Sequence, residues 1–106
     1  MATGILAYLD ITSASTDTQL YACPTNIVSS FSISMVNRTA SPVQVNIALT
    51  TSTSIVNGQY IAYNTTIYPY ETYERNGLVI TEGQFVYVRS TTTGVNAIAY
   101  GYEESA

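Results

Sequence analysis

Side chains able to move a proton or hold a metal are few in this chain. Its 106 residues include seven carboxylates and one thiol, Cys23, with no histidine and no lysine. A histidine-based triad and the histidine-containing zinc sites are therefore excluded. One cysteine supplies neither a thiolate zinc site nor an intrachain disulfide. Cys23 reads as a small apolar residue beside a sheet, because a nucleophilic thiol needs a base that is missing here. Two carboxylates can share acid–base work, as in most glycosidases. Glu71 and Glu74 are an odd number of positions apart, so a regular strand turns them to opposite faces. Glu103 and Glu104 read as a solvated end. Neither a phosphate-cradling GxxxxGK[ST] loop nor GxGxxG is present, and no acidic loop is dense enough for calcium. The expectation is no catalytic residue, no cofactor, no metal, and a protein that is not an enzyme.

Tyrosine is the residue type left to carry function. There are ten tyrosines and no tryptophan. Tyr60, Tyr63, Tyr68, Tyr70 and Tyr73 fall within fourteen residues. Part of this set pads strand faces with the hydroxyl in water. The functional reading is a protein interface, since tyrosine gives large contact area at low entropic cost and keeps a polar tip. Tyr68-Pro69-Tyr70 is the leading candidate, because proline stiffens the support under both rings, and Tyr73 joins it. Ser30, Ser32 and Ser34 form a second candidate surface. They alternate with Phe31, Ile33 and Met35, where lysine or glutamate ordinarily guards against edge-to-edge association. Tyrosine rows also stack on sugar rings, which leaves a carbohydrate-binding reading open.

Only 9% of the residues are charged, and the formal charge is −4. Soluble domains use nearer a quarter, so serine and threonine carry the solubility. Arg38, Arg75 and Arg89 are the only cations and form no run. Phosphate-backbone affinity comes from Lys and Arg, so nucleic acid is not an expected partner. No apolar run reaches the length of a membrane-spanning helix. Met1-Ala2-Thr3-Gly4 has neither a basic nor an apolar leader segment, so assembly in a cytoplasm is expected. The sequons at Asn37 and Asn64 read as accidents of a threonine-rich chain.

Period-two alternation must position these residues. It runs through Ile5, Ala7, Leu9 and Ile11, then Phe31 to Met35, Val43 to Leu49, Val86 and Val88, and Ile98, Tyr100 and Tyr102. Successive side chains on a strand point to opposite faces, so each run predicts a half-buried strand. Strands are predicted near 5–12, 18–22, 27–37, 42–50, 59–66, 71–75, 78–81, 84–90 and 95–103, with no helix beyond a turn or two. Asn57-Gly58 predicts a turn with positive φ, and Asn76-Gly77 another turn. About eight strands with short links give one all-β domain over residues 1–106, an antiparallel β-sandwich of immunoglobulin-like or jelly-roll type. Ile33, Met35, Val45, Ile47, Val86, Val88 and Ile98 are the predicted core. Residues 1–4 and 103–106 are predicted loose ends.

Four stretches also resemble a known family. They are Thr16-Asp17-Thr18-Gln19-Leu20-Tyr21-Ala22-Cys23-Pro24, Ser32 to Arg38 followed by Val43 to Ala48, Tyr73 to Ile80, and Val86 to Ser90 with Ala99-Tyr100-Gly101-Tyr102-Glu103-Glu104. In this order they resemble a small β-rich virion structural module of tailed bacteriophages, notably marine and cyanobacterial ones. Cys23 and the tyrosine-rich 60–73 stretch depart from that pattern. The resemblance implies a virion location, assembly in the host cytoplasm and a protein partner. Within that setting the compact size suits a capsid decoration (cement) protein on the major capsid protein. It would be homo-oligomeric, with trimers at three-fold positions one form. A tail, baseplate or fibre-associated role is the alternative, and a module for host-surface glycans a further one. Arg38, Arg75 and Gly77, if they are the motif residues, hold turns.

Overall fold

The computed structural model describes residues 2–106. Eight strands form: β1 (Thr3–Asp10), β2 (Thr18–Ala22), β3 (Ile27–Asn37), β4 (Val43–Thr50), β5 (Tyr60–Ile67), β6 (Thr72–Thr81), β7 (Phe85–Ser90) and β8 (Val95–Ser105). They make two four-stranded antiparallel sheets packed as a sandwich, ordered β1-β8-β3-β6 and β2-β7-β4-β5. The chain pairs β1 with β8, β2 with β7, β3 with β6 and β4 with β5. That is one long antiparallel ribbon, doubled back at β4–β5 and wrapped around a core, which is the jelly roll. Of the two sandwich types the alternation allowed, the strand order selects this one.

The core lies between the sheets. Ile33, Met35, Val45, Ile47, Val86 and Val88 are fully buried, joined by Val43, Val95, Ala97, Ala99 and Phe31. At about 25 cal/mol per Å² of apolar surface, each such branched side chain contributes on the order of 2 kcal/mol.

Ile98 is a correction. It faces outward, and Ala97 and Ala99 take the inner positions. β8 is central, and small inward residues let it lie close to the other sheet, so the bulkier set is outside. Ile5 is likewise outside, at 63% exposure. A bulge at Leu6 shifts the β1–β8 register between Ile5 and Ala7, and an inserted residue reverses the face of everything before it.

The strands expected at 71–75 and 78–81 are one strand, β6. Asn76-Gly77 is a bulge in it rather than a turn, with Gly77 at φ 73° opposite the shift between Phe31 and Ile33. Asn57-Gly58 makes a short 3₁₀ turn (Asn57–Gln59) without positive φ. The Gln59 side chain accepts from the Val56 amide at 3.0 Å and so favours that tighter form.

The expected loose end at 103–106 is strand through Ser105, paired to Ile27, and the Ala106 amide donates to the Asn26 carbonyl at 3.0 Å. Thr3 and Gly4 lie in β1, and the remainder of the expected N-terminal loose end includes Met1, outside the described residues. A polar network explains the pinning. Glu103 points between the sheets, and Tyr21 donates its one proton to Glu103 Oε2. Ser29 must then donate to Tyr21, at 2.6 Å. The Ala2 amide donates to Glu103 Oε1 at 3.0 Å. Cys23 Sγ lies 3.3 Å from Ser29 Oγ and is buried.

These bonds make the end of the fold pH-sensitive. Tyr21 and the Ala2 amide hold the Glu103 carboxyl below the usual carboxylate range, against a smaller opposing effect of burial. Burial first, then Glu103, raises the Tyr21 hydroxyl. A carboxyl depressed in the folded state adds stability above its unfolded pKa of about 4.3 and loses it as pH falls through the folded value. The expected result is that acidification below about pH 4 destabilises the parent more than Glu103→Gln, measured by urea midpoints across pH. Parallel acid profiles for the two proteins would remove Glu103 from this role.

Candidate docking face

Two surfaces gather the residues singled out by sequence. The first is the turn between β5 and β6. The Glu71 amide donates to the Tyr68 carbonyl at 3.1 Å. Pro69 occupies the second position and Tyr70 the third, at φ 61°. This is the type II pattern, whose third position normally takes glycine or asparagine. A tyrosine there costs about 1 kcal/mol. Both rings stand in solvent, Tyr70 at 71% exposure.

Asn37 fixes this turn to the sandwich. It is fully buried at the end of β3. Its Nδ2 lies within bonding distance of the carbonyls of Ser41 (2.8 Å), Ile67 (3.0 Å) and Tyr68 (3.2 Å). Its Oδ1 accepts from the Thr39 amide at 2.9 Å and hydroxyl at 2.7 Å. The Asn37 amide donates to the Glu71 carbonyl at 3.0 Å. One side chain thus joins the β3–β4 connection to the tyrosine turn. By sequence, Asn37 stands at the end of a predicted strand and its sequon reads as an accident, with no anchoring role. The Asn-x-Thr spacing, which favours a local Asx turn, was the available signal.

Tyr73 does not join Tyr68 and Tyr70. It is level with Met35 and packs on the core, because β6 turns alternate residues inward from Thr72 onward. Tyr60 and Tyr63 pair edge-to-face, 4.9 Å between centroids, on β5 in the opposite sheet. The tyrosine crowding is a property of the sequence and is dispersed by the fold.

The second surface is the outer face of the β1-β8-β3-β6 sheet. Cross-strand partners share a face, so the register reads as rungs. One carries Tyr8, Ile98, Ser34 and Glu74. The next has Ile5, Tyr100 and Ser32, ending at the Asn76-Gly77 bulge. A third has Thr3, Tyr102, Ser30 and Val79. Ser30, Ser32 and Ser34 thus line up down the middle, half-buried between taller neighbours. Ile5, Tyr8, Val79, Tyr100 and Tyr102 are all exposed here. Isolated exposed apolar residues are ordinary, whereas clustered ones mark contact sites. A hollow of about 560 Å³ opens among Ile5, Tyr8, Leu9 and Ile98.

Arg38 sits at the edge of this face. It forms an ion pair with Asp10, and its amide donates to the Gly94 carbonyl at 2.9 Å. Both partners are solvent-exposed, so the pair orients a turn more than it stabilises the fold. Arg75 is in strand, not turn, and is level with Ile33 on the inward side; its Nε is buried with no partner among the described residues. Gly77 serves the bulge already described. Among the described residues no three His, Cys, Asp or Glu side chains gather as metal ligands, and no helix is long and apolar enough to cross a membrane. No known protein family matches this chain, and no curated protein matches it by sequence.

Proposed function

We propose that this protein is a non-enzymatic virion structural protein of a tailed bacteriophage, a decoration or cement protein that docks on the major capsid protein and stabilises the head. The observation that carries the reading is the Tyr68-Pro69-Tyr70 turn. Two exposed rings sit on a turn that is strained at Tyr70 and anchored through Asn37, and strain held by its surroundings is a mark of contact sites. The apolar hollow at Tyr8 and Ile98 opens on the sheet whose β6 begins beside that turn. Tyrosine anchors on a preorganised support suit binding by shape and apolar contact, with little charge steering. The resemblance of the four sequence stretches supplies the phage setting. Jelly rolls recur in viral capsid and lectin domains, an analogy of fold that does not by itself carry function.

The test uses purified heads lacking tails, which separates a head protein from a tail, baseplate or fibre component. Tyr70→Glu is expected to leave the thermal midpoint unchanged and to lower head occupancy at least about tenfold. Tyr70→Gly relieves the positive φ, so it is expected to raise stability by about 1 kcal/mol while still losing occupancy. Undiminished decoration by both variants would remove the turn from the contact.

A further inference from the structure

The third and second rungs of the outer face enclose a trough. Its floor is Ser30 and Ser32 on β3, one wall is Tyr100 and Tyr102 on β8, and the other is Val79 on β6. The floor is low because serine stands between strands bearing larger residues, and because the bulge at Gly77 presents no side chain there. The volume is about 370 Å³, at the small end for ligand sites. Glu74 on the neighbouring rung is the first cause that raises the pKa of the Tyr100 hydroxyl, with Ser32 acting in the opposite direction. Serine and tyrosine side chains therefore lie across the sheet beside an aliphatic wall.

We infer that this trough binds a neutral oligosaccharide. A pyranose ring offers an apolar C–H face and a rim of hydroxyls that both donate and accept. The trough offers tyrosine and valine sides for the first, and serine and tyrosine hydroxyls for the second. Charge narrows the class. Glu74 and Glu104 lie on this face, while Arg38 is held by Asp10, Arg89 faces Asp17 on the other sheet, and Arg75 is turned inward. Polyanionic chains meet only repulsion. A second copy of this protein brings the same carboxylates and no cation to offset them. A sugar hydroxyl needs no counter-charge and bonds to neutral serine and tyrosine hydroxyls.

The inference does not rest on the capsid reading. The Asn37 end of β3 and the trough at Ser30 are separated by roughly 20 Å at about 3.3 Å per residue. Saturation-transfer NMR of the intact protein with maltohexaose, cellohexaose, laminarihexaose and chitohexaose is the test, with heparin as the anionic control. At least one neutral hexasaccharide is expected to bind. Tyr102→Ala, which removes a wall, is expected to weaken it at least about tenfold, and Ser30→Leu, which fills the floor, to abolish it. Both changes lie on the half-exposed outer face, and unchanged thermal midpoints will show that the fold persists. Tyr70→Glu, in the β5–β6 turn, is expected to leave sugar binding intact. Silence from all four sugars at millimolar concentration overturns the assignment. So does equal binding of heparin, or sugar binding indifferent to Tyr102→Ala and Ser30→Leu. Head occupancy lost with Tyr102→Ala would make the trough a protein contact and overturn it too.

Discussion

Gly101→Ala is expected to destabilise the protein by about 4 kcal/mol or more, a loss that few single substitutions reach. Gly101 lies in β8, between Gly4 on β1 and Phe31 on β3. A Cβ built on it meets the Ser30 carbonyl oxygen at 2.1 Å, the Phe31 Cα at 2.6 Å and the Phe31 Cβ at 3.0 Å. Two of these atoms are backbone, so no rotamer change relieves them. The β3 and β8 strands must separate where their pairing runs unbroken from Ile27↔Ser105 to Asn37↔Val95. Overpacking against movable side chains costs about 1–3 kcal/mol, and a backbone clash in a central ladder lies above that. Phe31 also packs edge-to-face on Tyr21, with centroids 5.9 Å apart, so displacement there reaches the Tyr21–Glu103 network. Gly58→Ala is the control, since no atom lies within 4 Å of its added Cβ and its φ is not positive. It is expected to change stability by less than about 1 kcal/mol. Denaturant midpoints for the two variants settle the comparison, and equal values would mean the sheet absorbs the extra methyl.

Asn37→Ala is expected to cost about 3–5 kcal/mol. At roughly 4–8 °C per kcal/mol in a domain of this size, the melting midpoint falls by about 12–40 °C. The side chain is wholly buried and serves three carbonyls and two Thr39 donors. Alanine leaves those groups without their partner inside the protein, and each costs about 1–3 kcal/mol when no water reaches it. Asn37→Asp keeps the shape but replaces the amide donors with an acceptor facing carbonyl oxygens, so it is expected to be at least as damaging. Total stability for such domains is about 5–15 kcal/mol, so either change approaches global unfolding. Where a residual fold survives in mild conditions, the Tyr68-Pro69-Tyr70 turn loses its tether and head occupancy falls with it. A loss below about 1 kcal/mol would show that water replaces the amide and that the turn is held by other means.

The alternation of Phe31, Ile33 and Met35 with serine, and of Val43, Val45 and Ile47 with polar residues, determined the strands and their inner faces. Period two is a local property of the chain, and a buried face enforces it. It failed in β1 and β8 for one reason. At Leu6 a bulge inserts a residue, and in β8 alanine rather than isoleucine faces inward. Both depend on how closely another strand approaches, which no single segment encodes. Gly101 between two tyrosines was legible in retrospect, since an isolated glycine in a strand marks close backbone approach.

The sequence by itself determined that this protein is an all-β scaffold with tyrosine and serine to offer and no histidine or lysine. Composition and periodicity are local facts, and they limit the chemistry before any fold exists. Tertiary structure alone decided which tyrosines share a surface. Tyr73 was turned against the core, Tyr60 and Tyr63 went to the opposite sheet, and Tyr100 and Tyr102 were brought beside Ser30 and Ser32 from some seventy positions away. Register between distant strands sets those neighbours, and register is fixed by packing across the whole sandwich.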